Sequence, residues 1–283
     1  MKNRPFISIF TPTYNRSKLL LRLYDSLKKL RNQNFEWIIV DDGSMDETQK
    51  LIQNFIDEKS LKIIYYRQNN YGKHIAINKG VELANAELFF IVDSDDFLPE
   101  NSLDIINRYY QKIKNNPKIA GICGKRKLLN EDRKNLFLKN KEEICTPFEF
   151  RFVNQYEGDM AEVFKTDVLK NYPFPQFEGE KFCTEALVWN RIGKDYKILY
   201  FDEFIYECEY QEGGLTSNYW DLLLKNPKGS LLYYKELLGF NLTTLQRKEV
   251  LKIYNHIAKA NGSSKFGILK DLGLLNFLKI YLP

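Results

Sequence analysis

Short apolar runs alternate with segments of helical periodicity over the first third of the chain. The runs read FISIFT, EWIIVDD, LKIIYY and LFFIVD and occupy residues 6–11, 36–42, 61–66 and 88–93. Apolar spacing predicts helices between them, over 17–30, from a capping box at Ser44 and Glu47 to about 56, and over 73–84. Strands that are apolar on both faces and separated by amphipathic helices favour a mostly parallel sheet with helices on both faces. An α/β fold is therefore predicted.

The rest of the chain predicts fewer strands and more helix. After residue 99 the predicted elements are a helix to 115, a strand at 119–124, a charged irregular excursion at 125–143, a strand and helix from 158, a helix at 184–193, and one or two strands within 196–210. Residues 218–283 predict helices with Gly and Pro breaks. We therefore expect a sheet-containing part, residues 1–215, followed by a mainly helical C-terminal extension, residues 216–283.

The overall composition and charge are those of a globular protein without a nucleic-acid partner. The chain has 283 residues, and its 42 Lys and Arg against 37 Asp and Glu give a formal charge of +5. This small excess is scattered along the chain, so nucleic acid is not expected as a partner. The four cysteines form no CxxC pair and there are two histidines, which argues against a zinc site.

Targeting signals are also missing from the sequence. The start, MKNRPFISIF, lacks the apolar region and cleavage site of a signal peptide. No apolar stretch approaches the roughly 18 residues of a spanning helix. We expect a cytoplasmic protein with reduced thiols.

Polar clusters follow three of the four predicted strands in the first third. They lie at residues 11–16, 41–44 and 93–96, and the last contains three carboxylates, Asp93, Asp95 and Asp96. Parallel strands place their carboxyl ends at one edge of a sheet, where ligands bind, so the clusters are expected to converge. An acidic turn that caps the next helix is the alternative reading of residues 93–96; on that reading Asp96 is only a cap.

Four motifs in register resemble those of the family 2 glycosyltransferases, the large inverting group with a GT-A fold. They are TPTYNR at 11–16, VDDGSMDET at 40–48, NNYGKHIAINKG at 69–80 and VDSDD at 92–96. The stretches GDMAEVFKTDVLK and EGEKFCTEALVWNRI resemble the acceptor half of bacterial members that build surface glycans. The resemblance implies a GT-A domain over residues 1–215, with a donor half at 1–110 and an acceptor half at 111–215.

The resemblance also implies an activity and donor-binding residues. The activity is inverting transfer of a sugar from a nucleotide sugar, a UDP-sugar, to a hydroxyl of a glycan or lipid-linked acceptor in surface polysaccharide synthesis. Asp95 is implied as the ligand of Mn or Mg, since hard cations take oxygen ligands. The donor-binding residues implied are Pro12, Thr13, Tyr14, Asp42, Lys73, Asp93 and Ser94.

The catalytic base is implied at the start of a helix in the second half. Family members carry an acidic pair there, and in TEALVWNR the acid is Glu185 while Ala186 occupies the second position. Glu185 is the predicted base, with Glu180 or Asp159 as reserves. A Glu at a helix start also has a purely structural explanation, because it complements the helix dipole.

Two rival functions remain open from the sequence. A nucleotidyltransferase uses a similar sheet and acidic metal site, but it normally begins with a Gly-rich loop that TPTYNR lacks. A non-catalytic relative that binds nucleotide or glycan is suggested by Ala186.

Two further segments have two readings each. QEGGLTSN, at 211–218, is either a loop over the donor or a plain turn. The final segment, with apolar residues among Lys265, Lys270 and Lys279, is either a peripheral contact with an anionic membrane, at the inner face of the cell membrane, or a packing helix.

Overall fold

The computed structural model describes residues 4–129, 138–209 and 218–281. Within them, eight strands form one sheet in the order β3-β2-β1-β4-β7-β5-β8-β6. The strands are β1 (Ile7–Thr13), β2 (Phe35–Asp41), β3 (Ile63–Arg67), β4 (Leu88–Ile91), β5 (Ile119–Leu128), β6 (Glu142–Cys145), β7 (Met160–Lys165) and β8 (Lys197–Cys208).

Helices cover both faces of the sheet and form the C-terminal region. They are α1 (Ser17–Lys28), α2 (Thr48–Glu58), α3 (Lys73–Leu83), α4 (Ser102–Ile113), α5 (Thr166–Leu169), α6 (Glu185–Ile192), α7 (Tyr219–Lys225), α8 (Pro227–Leu237), α9 (Thr244–Ala260) and α10 (Lys265–Tyr281). A π-helical turn spans Glu149–Val153.

The first four strands are parallel, as predicted, and their register brings three strand ends together. Thr13 at the end of β1 lies beside Asp41 at the end of β2, and Phe10 lies beside Ile91 at the end of β4. β7 is antiparallel to both β4 and β5. The mixed, mostly parallel sheet with a helical C-terminal region confirms the predicted fold class.

Alternate side chains of the strands pack into two different cores. Ile7 and Ile9 of β1 join the core shared with α1, α2 and α4, whereas Phe10 joins the core shared with α3 and α6. Because successive strand residues point to opposite faces, one apolar strand supplies both cores. This double burial explains why the strand runs are apolar throughout rather than alternating.

The C-terminal helices have an apolar core of their own. Leu237 of α8, Tyr254 of α9 and Ile268 of α10 are buried in this third cluster. The predicted domain boundary at residue 215 and most of the 211–218 segment lie outside the described residues. Among the described helices, none combines the length and apolarity needed to cross a bilayer. All four cysteines are free thiols.

The sequence predictions for the start of α2 and for residues 125–143 were wrong. The predicted capping box of α2 does not form, because the helix begins at Thr48 and the Ser44 amide instead donates to Asp41. The excursion predicted at 125–143 is strand at both ends, since β5 runs on to Leu128 and β6 begins at Glu142. β5 can extend through polar residues because its second half pairs with the end of β8 after register shifts.

Candidate active site

The loops that follow β1 and β2 bind one another at the edge of the sheet. The Asn15 amide donates to Ser44 Oγ at 2.9 Å, and Asn15 Oδ1 accepts from the Met45 amide at 2.8 Å. Asn15 has a φ of 52°, a left-handed conformation that Asn tolerates better than most residues. The turn leaves Tyr14 44% exposed, so its ring is available to a flat partner.

Pro12 and Thr13 are the last two residues of β1 rather than a turn after it. They lie beside Val40 and Asp41 of β2, and the Thr13 carbonyl accepts from the Asp42 amide at 2.8 Å. The Thr13 hydroxyl is buried and has no hydrogen-bond partner in the part of the chain that the structure describes. The predicted strand end at Thr11 was therefore two residues short.

Asp42 connects the second strand to the start of α3. Its buried carboxylate accepts from the Tyr71 amide at 2.9 Å and from the Gly72 amide at 2.8 Å, and also from Gln68 Nε2 at 2.8 Å. Gly72, with a φ of 93°, can adopt the conformation that aims its amide at this carboxylate. Asp42 thus holds the first residue of α3, Lys73, at the same edge of the sheet.

Lys73 forms ion pairs with two acidic residues from different parts of the chain. Its Nζ lies 2.7 Å from Asp93 Oδ1 and 2.9 Å from Glu185 Oε1. Asp93 follows β4, whereas Glu185 is the first residue of α6, so residues far apart in the sequence share one ammonium group. The structure therefore brings together three residues predicted from separate motifs.

The charges around Lys73 keep Lys73 and Asp93 ionised. Burial alone would lower the pKa of Lys73, but Asp93 and Glu185 raise it above its usual value. Burial would raise the pKa of Asp93, yet the positive charges of Lys73 and Arg126 hold it below its usual value. A carboxylate and an ammonium paired in this way stay charged across the physiological range.

Asp95 is suited to hold a divalent cation. Its side chain is 23% exposed, and its partner is Arg16, whose Nη1 lies 3.3 Å from Asp95 Oδ2. Mn and Mg prefer oxygen ligands, and Mg in particular often takes one or two protein carboxylates together with phosphate oxygens and water. One accessible carboxylate at the edge of the sheet fits that requirement. Ser94 lies beside it in the same turn and is buried.

The acidic residues turn the chain but do not cap α4. The Asp96 amide donates a hydrogen bond to the Asp93 carbonyl, which closes a turn. Helix α4 begins later, at Ser102, and its N-cap residue is Asn101. Asp96 is buried, and its carboxylate accepts a hydrogen bond from the Tyr206 hydroxyl at 2.6 Å. The same hydroxyl accepts a hydrogen bond from the Asp93 amide. Burial and the Asp93 charge raise the pKa of Asp96 to about 7. The reading of Asp96 as a helix cap was wrong.

The two reserve acids occupy different positions from Glu185. Glu180 is buried, and its two carboxylate oxygens accept from the amides of Lys228 and Gly229. Asp159 is exposed just before β7. Neither has an ion pair with Lys73 like that of Glu185. The geometry keeps Glu185 as the preferred candidate.

Several residues near the site were not found from the sequence. Arg126 of β5 lies over the Tyr206 ring, at 4.3 Å from its centroid, and its charge acts on Asp93. Glu162 of β7 is affected by the charges of Arg126 and Glu185, and burial raises its pKa to about 7. Arg126 lay in the stretch predicted as irregular, so no periodicity directed attention to it.

His74, next to Lys73, belongs to the core rather than to the site. It is buried against Phe174, and its Nδ1 has no hydrogen-bond partner among the described residues. Burial lowers the pKa of His74 to about 4, so the imidazole is neutral near pH 7.

The mixed sheet with its helical C-terminal region is a GT-A-like fold, as the similarity to solved structures shows. S. aureus TarS (residues 1–349), solved with UDP-GlcNAc, is similar over 97% of this chain and 78% of that chain, with a TM-score of 0.64 and 19% identity. The mannosyltransferase PcManGT from Pyrobaculum calidifontis, solved with GDP-Man and Mn2+, is similar over 99% of this chain and 79% of that chain, with a TM-score of 0.59 and 15% identity.

Sequence comparison identifies the family. Residues 8–161 match the model of glycosyl transferase family 2, and because they make up more than half of the chain, it belongs to that family. Glycosyltransferase GlyG of Streptococcus pneumoniae serotype 4 is 24% identical over 227 residues, covering 76% of this chain and 74% of that protein.

A second relative has a more specific name. It is the GalNAc(5)-diNAcBac-PP-undecaprenol beta-1,3-glucosyltransferase of Campylobacter jejuni, 28% identical over 200 residues. That match covers 68% of this chain and 60% of that protein. Membership of this family supports glycosyltransferase activity for the protein.

Proposed function

We propose that this protein transfers a sugar, with inversion, from a UDP-sugar to an acceptor hydroxyl, using Glu185 as the base and Asp95 as the ligand of Mn or Mg. The observation that carries the proposal is the bridge from Lys73 Nζ to Asp93 at 2.7 Å and to Glu185 at 2.9 Å. In this proposal Asp93 belongs to a donor half, residues 1–110, and Glu185 to an acceptor half, residues 111–215, and both pair with the Lys73 ammonium group.

The chain's own residues supply binding, orientation and proton transfer in this proposal. Tyr14 stacks on the base, with Pro12 and Thr13 beside it, and Asp42 keeps the loop before Lys73 in place. Lys73 faces the diphosphate, and Glu185 Oε1 accepts the proton of the attacking hydroxyl. When bound at Asp95, the cation supplies neutralisation of charge on the leaving diphosphate. Asp93 and Ser94 complete the donor side, with Asp93 turned toward Lys73.

The comparisons support the substrate classes of this proposal. S. aureus TarS was solved with UDP-GlcNAc and with UDP, and the name of the Campylobacter jejuni relative includes an undecaprenol-linked acceptor. On this basis we propose a glycan or lipid-linked acceptor and a role in bacterial surface polysaccharide synthesis. A Mn2+ ion accompanies GDP-Man in PcManGT, which supports the proposed cofactor.

The proposal is tested by donor binding and by product. A UDP-sugar in hundredfold excess over its dissociation constant is expected to stabilise the protein by about 2.7 kcal/mol, which a thermal-shift panel of nucleotide sugars detects. Stabilisation is expected to need Mn. With an acceptor, UDP is the expected product. Pyrophosphate formed from a nucleoside triphosphate and a sugar phosphate, with no UDP formed from the UDP-sugar and acceptor, would instead identify a nucleotidyltransferase. Nucleotide binding without any product would identify a non-catalytic relative.

We also propose that α10 contacts the inner leaflet of the cell membrane. The helical backbone of α10 is broken at Gly273, which has a φ of 75°. Before the break Ile268 and Leu272 pack on the C-terminal core, and after it Leu274 and Leu275 are 61% and 77% exposed. The acid of this helix, Asp271, is paired with Lys235 and Tyr254. Exposed leucines thus accompany lysines in this segment, which suits an anionic leaflet.

Vesicle binding tests the α10 contact. Replacing Leu274 and Leu275 together with Ser is expected to weaken binding to phosphatidylglycerol vesicles by tenfold or more, because each buried Leu contributes about 1.5–3 kcal/mol. Leu245→Ser is the matched control, since Leu245 is exposed on α9. Co-sedimentation measures both. Equal binding by the double variant and the control, or no binding by the unmodified protein, would contradict the contact.

A further inference from the structure

The segment of residues 180–182, separated from Glu185 by Cys183 and Thr184, is held by the start of α8. Glu180 Oε1 accepts from the Lys228 amide at 2.7 Å, and Oε2 accepts from the Gly229 amide at 2.9 Å. These amides belong to the first turn of α8, where no helical carbonyl is available to them. A carboxylate at that position also meets the positive end of the helix dipole.

Asn226 binds the same segment from the other side of the α8 start. Its Oδ1 accepts from the Lys181 amide at 2.7 Å and from the Phe182 amide at 3.1 Å, while its Nδ2 donates to the Leu222 carbonyl at 2.8 Å. Four hydrogen bonds therefore join the 180–182 segment to the start of α8. In two of them α8 amides donate to Glu180, and in the other two amides of the segment donate to Asn226. Both side chains are buried, which protects these bonds from water.

The opposite side of the 180–182 segment packs against Gly72. A Cβ at Gly72 would lie 1.9 Å from the Lys181 carbonyl oxygen, so the two backbones touch where no side chain fits. Gly72 precedes Lys73, which binds Glu185, and its amide is held by Asp42. The segment is thus enclosed between the start of α3 and the start of α8.

α8 also holds the far end of α6. Arg191, in the last turn of α6, forms a two-pronged ion pair with Glu236 of α8, with distances of 3.0 and 2.6 Å. Both ends of the helix that begins with Glu185 are therefore tied to the same helix of the C-terminal extension. Sliding or rotation of α6 would break contacts at both ends.

We propose that Glu180 and Asn226 are positioning residues that hold Glu185 at its distance from Lys73. The inference rests on the proposed function, in which Glu185 is the base. It assigns the C-terminal extension a part in sugar transfer, because α8 supplies the amides and the Asn226 side chain that fix the 180–182 segment. Loss of either side chain frees the residues before Glu185 while leaving Asp42, Lys73 and Asp95 in place.

Steady-state kinetics with donor titration test this role. Asn226→Ala and Glu180→Ala are each expected to lower kcat by about tenfold to a hundredfold, the loss that a misplacement of about 1 Å produces. The donor dissociation constant and the number of donor sites per chain, measured by calorimetry, are expected to stay unchanged. Asn226→Asp keeps the acceptor oxygen and is expected to recover most of the rate.

Arg247→Met is the matched control for stability. Arg247 donates to the carbonyls of Leu238 and Phe240 and so stabilises the same extension without touching the 180–182 segment. Its kcat is expected to stay within twofold of the unmodified protein. If Arg247→Met lowers kcat as much as Asn226→Ala, or if Asn226→Ala loses donor sites in proportion to rate, the role is structural and the inference fails.

A double variant separates this inference from the proposed function. If Asn226 acts through Glu185, Asn226→Ala is expected to cause no further loss in a Glu185→Gln background. Full transfer by Glu185→Gln alone would overturn the assignment of the base, whereas an inactive Glu185→Gln with a fully active Asn226→Ala and Glu180→Ala would overturn only the positioning role.

Discussion

Replacing Asp95 with Ala is expected to abolish metal-dependent transfer, lowering kcat by about a thousandfold. In the proposed function the partly exposed Asp95 carboxylate holds the cation, which would supply several kcal/mol of charge stabilisation at the leaving diphosphate. The measurement is initial rate against Mn concentration, with unfolding followed by urea titration. The free energy of unfolding is expected to change little, since the lost partner is the half-exposed Arg16 at 3.3 Å.

Asp57→Ala is the control for this substitution. Asp57 is an exposed acid near the end of α2, and its partner is Gln53. The variant is expected to transfer sugar at the normal rate with normal Mn dependence. Unchanged Mn dependence in Asp95→Ala would reject Asp95 as the metal ligand.

Replacing Glu185 with Gln is expected to stop transfer while donor binding persists. A well-placed general base contributes about 10² to 10⁴ in rate, and Gln keeps the shape of the side chain without its basicity. Lys73 keeps its pair with Asp93 at 2.7 Å, so the donor side of the site is expected to survive. Single-turnover kinetics and donor calorimetry on the same preparation measure the two properties.

Glu178→Gln is the control for the base, because Glu178 is exposed in the segment leading to α6. It is expected to transfer normally. Transfer by Glu185→Gln at more than a tenth of the normal rate would place the base elsewhere, and Glu162→Gln and Asp159→Asn would then be the variants to measure.

The edge of the sheet was predictable because it depends on local patterns. Apolar runs ending in polar clusters predicted that the residues after β1, β2 and β4 converge, and the register of Thr13 with Asp41 confirms it for the first two strands. The four motifs predicted the family, which the match over residues 8–161 confirms. The individual roles of the site residues stay predictions.

The contacts between distant segments were not predictable. Nothing in the local sequence near Glu180 shows that its carboxylate binds amides of α8, because this depends on how the C-terminal helices pack. Arg126 escaped notice for a related reason: its strand is stabilised by pairing with β8 rather than by apolar alternation. The spacing of apolar residues in a sequence predicts helices and strands and their buried faces. It does not predict these charged contacts, because they depend on how distant segments pack together.

The contact between Gly72 and the Lys181 carbonyl has a consequence for engineering. In a chimaera whose residues around Lys181 come from another member of the family, the replacement backbone must pass Gly72 at the same distance as the Lys181 backbone does. The contact is between two backbones, so no side-chain substitution can adjust it. The segments around Gly72 and Lys181 are therefore not expected to be exchangeable independently of each other. We expect an active chimaera to take the 69–80 motif and the residues before α6 from the same parent sequence.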